Sequence, residues 1–166
     1  MNAQQHLGDD LLLEIGRIAA LRGAVRASLL SGIDALLSTG LHDQGFGRLL
    51  AGQKQLSEIC SALVVVSRVR NVPEDAVNRL IQLEAERRAD FELAAAIADG
   101  TWTLLSGNED PQYGLFRGQS AVRKSLEPQW EKMKVADLVE LRKRLEIALE
   151  SIERLIWGVR GAKAKK

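Results

Sequence analysis

The sequence predicts an all-α protein of four to five helices in a bundle-like antiparallel array. Apolar residues recur at steps of three and four over long stretches, and Gly and Pro separate those stretches. Hydrophobic residues make up 46% of the 166 residues, enough for a substantial core in one domain or in two very small ones. We expect a single domain over 1–166, with helices in 9–100, an ordered loop in 101–128, a helix in 129–157 and a basic tail in 158–166.

The overall charge excludes a globally basic or acidic protein. The chain has 23 Lys plus Arg and 22 Asp plus Glu, so its net charge is +1. Four of the cations lie in the tail from Gly158 onward, which leaves 19 cations against 22 acids, or −3, for residues 1–157. A nucleic acid or another anionic partner would therefore have to bind a local cluster.

Cysteine usage and hydropathy favour a cytoplasmic protein. Cys60 is the single cysteine, so no internal disulfide can form. The region before Arg17 carries no positive side chain of the kind that opens a secretory signal. The longest uncharged stretches are nine residues, well short of the roughly 20 that span a bilayer, so we expect no membrane partner.

The first helix is predicted to begin near Asp10 and to end at Gly40. Acidic residues suit a helix start, and a glycine suits the left-handed cap after a helix end. Gly16 and Gly23 lie seven residues apart on one face. Either they let another helix approach closely or Gly23 divides the stretch, and we favour one bent or broken segment.

The second helix is predicted to open at Arg48, after a loop at 41–47. Leu49, Leu56 and Leu63 recur every seven residues, which is typical of a helix packed on one side. The three valines at 64–66 favour a strand locally, but the apolar pattern around them is too long for one. We therefore predict that the valines are helical.

A third helix is predicted to start near Pro73 and to end at Asp99 and Gly100. Proline tolerates the first helical turn because the amide hydrogen that it lacks would be unpaired there anyway. Glu74 and Asp75 follow it, where the helix dipole favours negative charge. The boundary at residues 71–73 is the clearest in the chain.

Helical periodicity fails between residues 101 and 128, where glycines and prolines recur. Residues 102–105 and 113–116 are candidates for a short hairpin. Aromatic side chains are costly to leave in water, so we expect an ordered segment. A long ordered loop is often functional, so the aromatic residues of this segment are our candidate interaction surface. An equally weighted alternative is that these residues only attach the loop to the core. They are Trp102, Tyr113, Phe116 and Trp130.

The last helix carries the most regular apolar pattern. Successive apolar residues of its main stripe are three, four, three, four and three residues apart, which is the spacing of helices packed at a shallow angle. Ile147, Leu149 and Ile156 broaden this stripe. We expect ion pairs from Glu140 to Arg144 and from Glu150 to Arg154, and a helix end at Gly158. The stripe comprises Leu138, Leu141, Leu145, Ala148, Ile152 and Leu155.

The sequence shows no pattern typical of a metal, cofactor or catalytic site. His6 and His42 are isolated, and Cys60 lies in an apolar helix stripe, where a structural role is expected. The glycines at 45, 47 and 52 lack the spacing of a phosphate-binding loop. Carboxylates at 84, 86, 90 and 92 alternate with Arg87 and Arg88, which indicates a solvated, ion-paired face.

Two basic clusters are candidate anion or nucleic-acid contacts. Cations close to aromatic residues can hold a phosphate backbone while bases stack on the rings. Lysine-rich ends are also common solubility features, so nucleic-acid contact is not favoured. The clusters consist of Arg117, Arg123 and Lys124, and of Arg160, Lys163, Lys165 and Lys166 in the tail.

The part of the chain from Phe91 onward resembles small head–tail joining proteins of tailed phages. The order is a helix, a glycine-punctuated stretch and a helix that opens with the residues VADLVELR at 135–142. The intervening stretch is longer than the tight hairpin of that family, and the first 90 residues have no counterpart in it. The resemblance implies a virion connector and assigns no functional residue.

These observations predict a non-enzymatic interaction or assembly protein with protein partners, forming a homo-oligomer or part of a larger complex. A nucleic-acid-associated module is the alternative, and a phage virion connector is another, which would place the chain in the virion. An enzyme or ligand binder using the segment from Trp102 to Trp130 lacks a recognisable acid, base or nucleophile.

Overall fold

A computed structural model describes residues 7–37, 54–106, 111–116 and 130–163, with side chains up to residue 158. Four helices pack together in these ranges: α1 (Asp9–Leu37), α2 (Leu56–Val69), α3 (Glu74–Asp99) and α4 (Val135–Lys163). Three short strands lie between α3 and α4: β1 (Thr101–Ser106), β2 (Gln112–Phe116) and β3 (Glu131–Met133). Helices account for 79% of the described residues, so the coarse expectation of a helical protein is confirmed.

Helix α1 is continuous over 29 residues, and the break expected at Gly23 does not occur. A glycine in a helix interior costs up to about 1 kcal/mol relative to alanine. Burial of the inner stripe, which includes Leu11, Ile18, Val25 and Leu29 at 0% exposure, offsets that cost. The end predicted at Gly40 lies outside the described residues.

Helix α2 begins at Leu56, eight residues after the predicted start at Arg48, a position outside the described residues. The backbone N–H of Gln55 donates to Glu58 Oε2 at 2.8 Å, a capping contact that defines this start. The valines at 64–66 are helical, as predicted.

The boundary predicted at residues 71–73 is confirmed. Asn71 has a φ of 54°, the left-handed conformation that asparagine tolerates after a helix end. Its N–H donates to the Arg68 carbonyl and the N–H of Val72 donates to the Ser67 carbonyl, each at 3.0 Å. These two bonds satisfy carbonyls that α2 leaves free, and α3 then starts at Glu74 with Pro73 as its N-cap.

The predicted hairpin is present, with β1 and β2 antiparallel and Trp102 opposite Leu115. Strand β3, which the sequence did not predict, pairs with β2 and gives the order β1-β2-β3. The chain enters β1 through Gly100, where a Cβ atom would clash with the Ala96 carbonyl and a methyl group of Leu115. The helix-to-strand junction therefore requires glycine.

Helix α4 differs from the expected 129–157 at both ends. Residues 131–133 form β3, and the helix begins at Val135, where the N–H of Lys134 donates to Asp137 Oδ2 at 2.8 Å. The helix continues through Gly158 to Lys163, so that glycine is not a cap and the tail predicted at 158–166 is helical over its first six residues. Gly158 is exposed, with nothing within 4 Å of a Cβ position, so no contact requires the helix to end there.

The inner stripe of α4 largely follows the prediction. Its residues from Leu138 to Ile152 are fully buried, but the last position is filled by Ile156 while Leu155 is only partly buried. Ile147, expected to widen the stripe, is 54% exposed.

Helices α1 and α4 form the largest helix–helix contact of the core. Arg142 Nε donates to Glu14 Oε2 at 2.9 Å near the helix starts, and Gly32 lies against Ile156 near the ends. Corresponding ends therefore meet, and the two helices run in the same direction. This departs from the antiparallel arrangement that we expected, because the strands return the chain to the starting end of α1 before α4 begins.

Helix α3 runs in the opposite direction to α1. Its last residue, Asp99, is 3.1 Å from Arg22 in the first half of α1. Its first turns meet the end of α1 around a small cavity of about 20 Å³, lined by Leu36, Val77 and Ile156 among others. The antiparallel expectation thus holds for this pair.

Candidate interaction surfaces

The four aromatic residues predicted to form an interaction surface divide between the two faces of the sheet. Tyr113 is 4% exposed and lies in the core with its hydroxyl beside Gly8. Trp102 packs against the core, and its Nε1–H donates to the Ile97 carbonyl at 3.2 Å. These two side chains pin the sheet to the helices.

Phe116 and Trp130 lie on the other face of the sheet. Their ring centroids are 5.6 Å apart with the planes tilted by 49°. Trp130 is 36% exposed and covers Gly114, where a Cβ atom would lie 3.0 Å from the indole ring and 3.1 Å from Leu105. Leu105, Phe116 and Trp130 form a small apolar patch, which we call the sheet patch.

The predicted basic contacts lie largely beyond the described side chains. Arg117, Arg123, Lys124, Lys165 and Lys166 are outside the described residues. Arg160 and Lys163 belong to the last turns of α4, where only the backbone is described. The nucleic-acid alternative stays a prediction.

A buried ion-pair cluster joins α1 to α4. Glu14, which is 5% exposed, accepts hydrogen bonds from Arg17 Nη1 at 2.6 Å and from Arg142 Nε at 2.9 Å. Arg142 also donates to Glu146 at 2.7 Å. Burial by itself raises the pKa of the Glu14 carboxyl, but the two arginine hydrogen bonds outweigh burial, and the pKa lies below its ordinary value. The arrangement holds a carboxylate charged between two helices and leaves it no free oxygen for proton transfer.

A second set of ion pairs lies between α3 and α4. Asp90 accepts from Arg144 Nε at 2.9 Å and lies 3.4 Å from Arg87, so Arg144 pairs across the helices instead of with Glu140. The predicted pair of Glu150 with Arg154 is present at 3.2 Å.

The carboxylates of α3 are less solvated than the sequence indicated. Glu84 is 8% exposed and binds Arg88 through both oxygens, at 2.8 and 3.0 Å. The ion pairing was predicted correctly, but Glu84 faces the interior, where Cys60 also lies. Burial, assisted by the nearby Glu84 charge, raises the pKa of the Cys60 thiol to about 12. A buried thiol with a raised pKa is a poor nucleophile at neutral pH.

The outer surface of α1 is the feature that sequence reasoning missed. Arg17 is its one exposed charged residue after the first turn, and Glu14 binds it. The other exposed positions form what we call the open face of α1: Leu12, Leu13, Gly16, Ala19, Ala20, Gly23 and Ala27. Leu12 and Leu13 are 50% and 52% exposed. A Cβ atom at Gly16 or Gly23 would have nothing within 4 Å, so among the described residues no other helix packs closely against either glycine.

The signal for this face was present in the sequence. Once the inner stripe of α1 is assigned to the core, the remaining positions should carry charged residues if they faced only water. On the side of α1 opposite that stripe, the positions between Leu12 and Ala27 carry alanine, glycine and leucine instead, and the arginines at 17, 22 and 26 lie outside this side.

No helix in the described ranges is both long and apolar enough to cross a membrane. Over the same ranges, no three His, Cys, Asp or Glu side chains gather in a way that could hold a metal ion.

No protein-family model matches the sequence, and no curated protein and no solved structure matches it at a significant level.

Proposed function

We propose that this chain is a non-enzymatic helical protein that acts through protein–protein contacts, as an oligomer or as part of a larger assembly. We also propose that its helices form a bundle in which the open face of α1 serves these contacts. The observation that carries the proposal is the open face of α1.

Physical chemistry supports a partner for this face. A helix that faces only water on its outer side typically carries charged and polar residues there. Helix α1 is covered on its inner stripe by α2, α3 and α4, while Leu12 and Leu13 remain half exposed. Contiguous apolar surface of this kind is typical of protein interaction sites.

The charged clusters support a structural role for the other surfaces. Glu14 and Asp90 are held between arginines that join neighbouring helices. Each carboxylate is engaged by its arginines, so these groups stabilise helix contacts and offer no acid–base pair in an open cleft.

Light scattering and sedimentation of the purified chain over a range of concentrations test this function. We expect a species larger than the monomer, or a protein that copurifies in fixed ratio. A strict monomer at every concentration, with no copurifying protein, would contradict the proposal.

A further inference from the structure

We infer that the partner of the open face of α1 is a second copy of this chain, bound with the two α1 helices antiparallel about a two-fold axis. The inference rests on the proposed function and names its contact surface. It is carried by the spacing of residues along the face and by the open space that the described residues leave beside its glycines.

One line of residues runs along α1 opposite the buried stripe; its first five members belong to the open face, and the last, Leu30, is partly buried against the core. From Leu13 to Leu30 it advances by three, four, three, four and three residues, the spacing that keeps a seam facing one partner helix. We call it the α1 seam: Leu13, Gly16, Ala20, Gly23, Ala27 and Leu30. It spans about 26 Å at 1.5 Å per residue.

The positions of the seam are symmetric about the point between residues 21 and 22, so that leucine is paired with leucine and glycine with alanine. In an antiparallel pair centred there, Leu13 faces Leu30, Gly16 faces Ala27, and Ala20 faces Gly23 of the other copy. A two-fold interface requires this self-complementarity, because each residue must fit the position that its own counterpart occupies. A partner with a different sequence gives no reason for the symmetry.

The small residues determine how closely the helices can approach. Gly16 and Gly23 leave their Cβ positions open, and each would receive an alanine methyl group from the other copy. The half-exposed Leu13 would then be buried at each end of the contact. The glycines would thus serve a close helix approach after all, between two chains.

Charge favours a second copy over a different partner. No seam residue is charged, and Arg17 at the edge is already bound to Glu14. A partner selected by charge complementarity would need matching groups on this face. A single helix pair also buries less than the roughly 1,600 Å² of a standard interface, so we expect a dimer that dissociates in the micromolar range.

The test compares the full chain with Ala20→Glu and with Ala85→Glu, a matched change at an exposed alanine of α3. In the proposed dimer the two introduced carboxylates lie near the axis and face Gly23 in a contact without water. We expect Ala20→Glu to raise the dimer dissociation constant at least about 100-fold, as measured by sedimentation, and Ala85→Glu to change it less than about 3-fold. Circular dichroism shows whether each variant is folded, and Ala27→Glu, opposite Gly16, replaces any variant that is not.

The outcomes separate this inference from the proposed function. A dimer that Ala20→Glu and Ala27→Glu both leave intact would overturn the inference, while the proposed function would stand with a different contact surface. A strict monomer without a copurifying protein would overturn both. A monomer whose thermal stability falls in Ala20→Glu but not in Ala85→Glu would show that a segment of the same chain covers the face, and would also overturn the inference.

Discussion

Helices α1 and α4 are both 29 residues long and pack against each other in the same direction, yet their outer surfaces differ. The outer surface of α4 carries local ion pairs, from Glu140 to Lys143 at 2.8 Å and from Glu150 to Arg154 at 3.2 Å. The open face of α1 carries none. Two helices with equally buried inner stripes can therefore carry different residues on their outer surfaces, and this difference is the basis on which we propose the open face of α1 as the contact surface.

The largest expected effect compares the two sides of α4. Leu145→Ala removes a side chain with 0% exposure, and we expect the free energy of unfolding to fall by about 2–5 kcal/mol. Ile147→Ala, on the outer surface, should change it by no more than about 0.5 kcal/mol. Urea unfolding measures both. A large cost for Ile147→Ala would show that the outer surface of α4 is also covered, and the contrast with α1 would be lost.

The next effect concerns the carboxylate that joins the two helices. Glu14→Gln removes a charge that accepts two arginine hydrogen bonds, and we expect a loss of about 1–3 kcal/mol at pH 7. Because the pKa of Glu14 is lowered in the folded state, its contribution is present above the unfolded pKa and is lost as pH falls through the folded pKa. The difference in free energy of unfolding between the unchanged chain and Glu14→Gln should therefore shrink in unfolding curves measured below about pH 4.

Glu150→Gln is the matched control, since Glu150 pairs with Arg154 at the surface of α4. An exposed pair at this spacing contributes about 0.3–0.5 kcal/mol. An equal loss for the two variants at pH 7 would contradict the buried position of Glu14.

The smallest expected effect compares glycines within α1. At concentrations where the chain is monomeric, Gly23→Ala should raise the free energy of unfolding by about 0.5–1 kcal/mol, because the new methyl group meets nothing within 4 Å. Gly32→Ala should raise the free energy of unfolding by less, because its methyl group would lie 3.1 Å from Ile156 Cγ1. Thermal unfolding distinguishes them, and a larger gain from Gly32→Ala would argue that this close contact is not tight.

Local chemistry explains why some elements could be predicted. Proline and left-handed asparagine at 71–73 determine a boundary through their own backbone preferences, and the stripe of α4 repeats often enough to identify its buried side. Strand β3 could not be predicted, because three residues carry no periodicity and the strand depends on pairing with β2. The direction of α4 relative to α1 depends on the same strands, and the antiparallel prediction for this pair was wrong for that reason.

The candidate interaction surfaces could likewise be predicted only in part from the sequence. Tyr113 and Trp130 are both aromatic residues near glycines, and only the three-dimensional fold shows that one is buried while the other covers Gly114. The sequence shows that Gly16 and Gly23 share a face of α1, but only the fold shows that no described residue packs against that face at the two glycines.

The register of the α1 pair can be measured directly by disulfide formation. Cys60 is buried, with its thiol pKa raised to about 12, so a cysteine introduced on α1 is the reactive one. In the proposed dimer, two Ala20→Cys residues are offset by only about 4.5 Å along the helix axes, within reach of a disulfide, whereas two Ala27→Cys residues are offset by about 16 Å. Under mild oxidation we expect Ala20→Cys to form a covalent dimer and Ala27→Cys to remain uncrosslinked. Equal crosslinking of both variants, or of neither, would contradict the antiparallel two-fold contact.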